Sequence, residues 1–326
     1  MTDLNEAAEN VRNSSQQTID EIASAHLGKA GDGSVVKPYV TPDEVDETLL
    51  VPIPRYLNRT QYDLSGDEFY GFDTWHAYEV SFLTDNGYPI NCVAKIVYDC
   101  SSECIVESKS LKLYMNSYNM ATMGKTVDAA IKNARDQISA HLTAALDTEV
   151  DVYLHAATND CPRTALPVEK YNFNLLDDEI DKPVEEISFD AYNESETILQ
   201  TSEDSDWTDE MYVWTPSLRS NCRVTNQPDW GDVYIYMKGD NLPTYESLLQ
   251  YIVSMRKENH FHEEICECVY KRLLDKFKPG ELFVCCLYTR RGGIDINPAR
   301  YSHPHLGNLA NGLRNSMAFS EKTLRQ

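Results

Sequence analysis

Cys222 stands seven residues ahead of Asp229 in the run "SNCRVTNQPDWG", with Arg219 and Arg223 on either side of the thiol. Nearby positive charge favours the thiolate, which is the form of cysteine that attacks an electrophile. Asp229 follows Pro228 and precedes Trp230; a carboxyl shielded by an indole has its pKa raised and keeps a proton to donate. The pair therefore offers a nucleophile and its acid. The same residues read equally well as a packed core thiol and a turn aspartate, because a Cys-x6-Asp spacing has no catalytic meaning by itself.

Three further clusters gather polar and charged groups: "ESKSLKLY" (Glu107 to Tyr114), "HFHEE" (His260 to Glu264) and "YTRRGGIDINP" (Tyr288 to Pro298). His262 and Glu263 fall at the start of an expected helix, where backbone N–H groups are free and a carboxylate can meet the donor edge of a heterocycle. The plainer reading has Glu263 or Glu264 complementing the helix dipole. The lysines of the first cluster and the arginines of the third are local positive islands, suited to a phosphate-rich cofactor, and Gly292 and Gly293 would let backbone approach phosphates closely. A metal site is not expected: His260, His262, Cys266 and Cys268 lie near one another in sequence, but on a helix Cys268 projects away from Cys266.

The chain of 326 residues carries 52 acidic against 29 basic side chains, a formal charge of -23. Such a surface repels phosphate backbones and anionic lipid, so direct nucleic-acid binding is not expected. No apolar run approaches the ~20 residues that span a bilayer, and the N-terminal stretch lacks the basic and apolar parts of a secretory signal, so the expected location is the cytoplasm. Nine irregularly spaced cysteines form no disulfide framework and read mainly as reduced core residues.

Four segments follow from composition and periodicity. Residues 1–45 form a polar arm with a short helix, 46–175 a first module, 176–210 an acidic connection whose lone lysine is Lys182, with strand content around "EEISFDAY", and 211–326 a second module. In the first module, "WHAYEVSFL", the turn "DNG" and "INCVAKIVYDC" predict a β-hairpin. Ile131, Ala134, Ile138, Leu142 and Ala145 recur at helical spacing behind a Thr126 cap. The second module offers a strand "DVYIYMKG", helices from about Tyr245 to Met255 and from about His262 to Phe277, and a strand "ELFVCCLYTRRGG". Sheets with paired helices, twice over, imply an α+β fold in tandem. Neither the dinucleotide G-x-G-x-x-G after a strand nor a P-loop is present.

Taken jointly and in order, "PIPRYLNR", "DTWHAYEVSFL", "ESKSLKLYMNSYN", "LRSNCRVTNQPDWG", "NHFHEEICE" and "YTRRGGIDINPAR" resemble the NADPH-dependent 7-cyano-7-deazaguanine reductases, the nitrile reductases of queuosine synthesis, in their longer two-module form. The resemblance covers most of the chain; Tyr118 departs from an expected phenylalanine. It implies tandem tunnelling-fold modules, each an antiparallel sheet backed by two helices, and a homodimer. It also implies that Cys222 attacks the nitrile to give a thioimide while Asp229 protonates the nitrogen. Glu107, Ser108, His262 and Glu263 would hold the deazaguanine, and Ser108, Lys109, Arg291 and Gly292 would contact NADPH. Two other classes compete: a non-reducing amidinotransferase-like enzyme acting on the same nitrile, which needs no NADPH site, and a non-catalytic module that binds a basic protein.

Overall fold

The expected hairpin forms where alternation and turn chemistry agree. Strand β1 (Tyr70–Leu83) turns through Gly87, at φ +83°, into β2 (Pro89–Asp99), with Trp75, Phe82, Ala94 and Ile96 buried along it. This computed structural model describes residues 42–157, 163–164, 167–168, 173–202 and 209–326. The N-terminal arm, apart from its last few residues, and residues 203–208 of the acidic connection lie outside the described residues.

Further strands are β3 (Val150–Ala156), β4 (Asn174–Leu175), β5 (Glu210–Asn221), β6 (Pro228–Lys238), β7 (Glu281–Tyr288) and β8 (Ile294–Tyr301). They join β1 and β2 in one eight-stranded sheet of order β3-β2-β1-β8-β7-β6-β5-β4, antiparallel except for the short β4–β5 pairing. The halves of the chain thus share one sheet, and its seam is the β1–β8 ladder that sets Trp75 opposite Ile296 and Ala77 opposite Ile294.

Four helices pack on one face. Helix α1 (Ser108–Asn116) and α2 (Val127–Leu146) cover the strands of the first half; α3 (Tyr245–Ser254) and α4 (His262–Phe277) cover those of the second. Two helices per half on an antiparallel sheet is the α+β architecture expected. Thr126 caps α2 by accepting a hydrogen bond from the Ala129 amide, and Ala130, Ala134, Ile138, Leu142 and Leu146 form its buried stripe. The opposite face is closed by the C-terminal segment, whose Leu306, Ala310 and Leu313 join Phe283, Cys285 and Tyr301.

The acidic connection differs from its reading in one respect. No strand forms around "EEISFDAY"; 3-10 turns at Leu176–Glu179, Val184–Glu186 and Glu196–Ile198 replace it. Ile180, Phe189 and Ile198 dip singly onto the core beneath α3, so their apolar side chains serve as plugs and not as one face of a pleat.

Candidate active site

Strands β5 and β6 form a hairpin, and Cys222 begins its loop. The Cys222 amide donates to the Gln227 carbonyl at 2.8 Å, and Asn226, with φ +55°, closes the turn back onto the Cys222 carbonyl at 2.9 Å. Six intervening residues therefore bring the thiol to the mouth of the same hairpin on which Asp229 pairs with Ser220. Pleat alternation sends Asp229 to the helix-bearing face together with Val233 and Ile235.

A cleft of about 300 Å³ opens there, at the seam between the halves. Its floor is Trp75, Ile294 and Ile296; one wall is the N-terminus of α1 with Glu107, Ser108, Lys109 and Lys112; the other is the N-terminus of α4 with His262 and Glu263. Cys222, Gln227 and Asp229 line it from the β5–β6 hairpin, and the turn at Arg291 and Gly292 meets them there. Every residue singled out from the sequence as catalytic, substrate-binding or cofactor-binding lines this one cleft. Trp75, Gln227, Ile294 and Ile296 were not singled out, although the alternation that buries Trp75 already marked one inward face.

Glu107 caps α1, accepting the Ser110 amide at 2.7 Å, and is 3% exposed. Burial pushes its carboxyl up, against the pull of the helix-end amides of Ser110 and Lys109. The "ESKSLKLY" lysines thus sit on α1, Lys109 in its first turn. At the head of α4, Glu264 takes the structural role: it accepts the Phe261 amide at 2.9 Å and both contacts of the buried Arg223 guanidinium, at 2.8 and 2.9 Å. Glu263 is left for the cleft. It is 2% exposed, its Oε1 has no hydrogen-bond partner, and burial together with the nearby Asp73 charge pushes it up to about 8. His262 lies flat on Tyr288, ring centroids 3.9 Å apart and planes 12° apart, and its Nε2 is 3.3 Å from Asp229 Oδ2.

Two expectations about the catalytic pair change. Asp229 is not raised: burial pushes its carboxyl up, but His262 and Arg291 outweigh burial and hold it below the ordinary carboxylate range. Trp230 gives no shield, because it projects to the other face, 40% exposed, with Arg219 and Arg256 at 5.8 and 5.5 Å from its ring. The cation at the thiol also differs from the expected pair. Arg223 is drawn to Glu264 and anchors the loop, Arg219 donates to the Arg256 carbonyl, and it is Arg291 that hydrogen-bonds Asp229 and lies within electrostatic reach of Cys222. A second Arg291 nitrogen donates to Gln227 Oε1 at 2.7 Å.

Arg291 and Ile294 bracket a two-residue turn through mutual amide–carbonyl bonds of 2.8 and 3.0 Å, with Gly292 and Gly293 at φ +58° and +80°. That is the backbone of a tight hairpin turn which glycine adopts without strain. A side chain on Gly292 would point at Lys112, 3.7 Å from its Nζ. Bare backbone beside Arg291, Lys109 and Lys112 fits the phosphates of a dinucleotide. Among the described residues no cluster of ligands suits a metal ion, and no helix is long and apolar enough to cross a membrane.

A carboxylate held by a guanidinium beside a thiol, with buried carboxylates and a cationic glycine turn in the same cleft, is the kind of site found in a small-molecule enzyme. The comparisons give the particular family. The family described as "Nitrile reductase, 7-cyano-7-deazaguanine-reductase N-term" matches residues 41–154, and that described as "QueF-like protein" matches residues 228–305. Among curated relatives, the NADPH-dependent 7-cyano-7-deazaguanine reductase of Colwellia psychrerythraea is 36% identical over 91% of this chain and 98% of its own length. Those of Legionella pneumophila strain Lens and Hahella chejuensis are 38% and 36% identical, covering 80% and 86% of this chain and 87% and 93% of theirs. The chain belongs to the NADPH-dependent 7-cyano-7-deazaguanine reductase family.

Proposed function

We propose that the chain reduces the nitrile of 7-cyano-7-deazaguanine to the aminomethyl group, in queuosine-type biosynthesis, through a thioimide on Cys222. The observation that carries this reading is the meeting of Cys222, Asp229, Glu107, His262, Glu263 and Arg291 in one cleft of a chain of this family. NADPH, when bound, supplies hydride, and two deliveries account for the four electrons.

The remaining chemistry belongs to the side chains. Cys222 sulfur bonds to the nitrile carbon, and one C–N π bond opens onto nitrogen. The thiol proton has to reach that nitrogen. Asp229, held as a carboxylate by His262 and Arg291, accepts the proton from sulfur and passes it on, so it acts first as base and then as acid. Glu263 and Glu107 receive the exocyclic amino group and ring N–H of the deazaguanine. These donors supply partners for the bare Glu263 Oε1 and draw it into its charged form. Ser108 and His262 complete the contact with the base. Arg291, Gly292, Lys109 and Ser108 hold the cofactor phosphates. The floor of Trp75, Ile294 and Ile296 keeps water from the thioimide.

The finer assembly follows the same reading. The halves, 46–175 and 211–326, act as two modules around the seam, and two chains pair into a cytoplasmic homodimer. The outer strand β3, hydrogen-bonded on one side only among the described residues, supports that pairing. The test is stoichiometric: purified protein oxidises two NADPH per nitrile, and without NADPH it gains the mass of one substrate on Cys222. An unmodified Cys222 in the presence of excess nitrile would overturn the covalent route.

A further inference from the structure

Arg291 touches more of the chemistry than a cofactor contact requires. It stands 62 residues from Asp229 in sequence, on a different hairpin, yet its guanidinium spans the Asp229 carboxylate and the Gln227 amide oxygen, with Cys222 within electrostatic reach. Its side chain is about one-third exposed, whereas that of Asp229 is buried, so the arginine reaches in from the mouth and can be withdrawn without opening the core. Its backbone is the tip of the glycine turn facing Lys112. A guanidinium fork fits a phosphate as well as it fits a carboxylate, and a phosphate carries more charge. Two anionic groups therefore compete for one cation: Asp229 inside, and a dinucleotide phosphate outside.

We propose that Arg291 is a positioning residue that acts as a releasable clamp: it sits on Asp229 and Gln227 while the cofactor site is open, and a dinucleotide phosphate bound at the Arg291–Gly292 turn draws it off the carboxylate. This rests on the assignment of Cys222 and Asp229 as the reacting pair. Asp229 is faced by Tyr288 from β7, His262 and Glu263 from α4, Cys222 from its own hairpin, and Glu107 across the cleft. Arg291 and His262 are the two groups that favour its charged form. Loss of one of them moves the Asp229 carboxyl up. The clamped carboxylate serves as the base that takes the thiol proton, and the released one retains protons for the imine nitrogen in the reductive half of the reaction. One arginine thus ties the order of proton transfers to the arrival of cofactor.

The sign of the linkage sets the measurement. Asp229 lies below its ordinary value while clamped; release raises it, so cofactor binding takes up protons as pH falls into the range where the carboxylate titrates, and the uptake fades as pH rises. Binding of NADP⁺, which delivers no hydride, is followed by calorimetry in buffers of different ionisation heat. Wild-type protein is expected to take up more protons than Asp229→Asn, which carries the same 2′-phosphate contribution, and Arg291→Gln is expected to match Asp229→Asn. Equal uptake by wild type and Asp229→Asn would overturn the clamp. If Arg291→Gln fails to bind NADP⁺, infrared spectra of the cofactor-free proteins replace it. The carboxylic-acid band that Asp229→Asn abolishes should then appear at higher pH in Arg291→Gln than in wild type, and an unmoved band counts against the proposal. The Cys222 mass adduct is a separate readout, so the clamp can fail while the covalent route stands.

Discussion

Glu263 and Glu267 lie one turn apart on the buried face of α4, and 2% and 3% of their surfaces are exposed, yet their surroundings are opposite. Glu267 is filled on every side. Arg59 donates to both its oxygens at 3.0 and 2.8 Å, Arg300 donates twice to Oε1 at 3.1 and 2.9 Å, and Arg55 stands at 3.7 Å. Arg55 and Arg300 also bind Asp73, at 2.6 and 2.8 Å, closing a network between helix and sheet floor. Burial pushes Glu267 up, but Arg300, Arg59 and Arg55 overcome it and the carboxyl ends below its usual range. Glu263 faces the cleft with one oxygen bare and ends at about 8. Burial alone therefore does not distinguish the two acids; the difference lies in whether the protein itself completes their hydrogen bonds.

The largest effect should come from breaking the filled side. Arg300→Leu leaves Asp73 and Glu267 short of a buried cation and should lower unfolding stability by about 3–5 kcal/mol in denaturant titration. A loss confined to activity, with an unchanged unfolding midpoint, would place Arg300 with the site and erase the contrast.

On the open side, Glu263→Gln should act oppositely. A carboxyl whose folded value lies above its unfolded one binds more protons when folded, so it contributes a stability loss that sets in above the ordinary value of 4.5 and is complete near 8. The amide cannot ionise, so unfolding stability in this variant should fall less between pH 5 and pH 8 than in wild type, while affinity for the deazaguanine drops because an amide cannot accept two donors as a carboxylate does. Parallel stability–pH curves for the two proteins would show that Glu263 is not held neutral in the open cleft.

The contrast also marks how far the sequence could be read. Cys222 and Asp229 were legible because a hairpin is local, and so was the α4 start at His262, since helix ends declare themselves within a few residues. The orientation of Trp230 was available too: reading the strand from Pro228 instead of Asp232 would have put it on the face opposite Asp229, by the period of two. The matching of cations to carboxylates was not available. Arg223 meets Glu264 across 41 positions, Arg291 meets Asp229 across 62, and Arg59 meets Glu267 across 208, and no local window carries those distances. Placing Arg219 and Arg223 at the thiol was the nearest-neighbour answer, and the fold supplied Arg291 from another hairpin. The bareness of Glu263 Oε1 is likewise a property of the closed sheet and its helices, invisible to α4 alone.

The smallest expected effect concerns the plate on which His262 rests. Tyr288 is fully buried beneath the imidazole, and Gly231 makes room for it: a side chain there would meet the Tyr288 ring at 3.1 Å. A stacked aromatic pair contributes about 0.5–1.5 kcal/mol beyond its buried area, or roughly two- to tenfold in a rate that depends on the imidazole's position. Tyr288→Leu should therefore lower kcat/KM by that factor, with the fall mostly in kcat if the ring serves to hold His262 on Asp229. Tyr288→Phe keeps the plate and should stay near wild type. Because neither change touches Arg300 or Glu267, any loss of unfolding stability in Tyr288→Leu should reflect lost packing alone and should appear equally at pH 5 and pH 8, in contrast to the pH-dependent change at Glu263. If Phe and Leu cost the same, the stack is incidental, and the orientation of His262 comes from the α4 N-terminus alone.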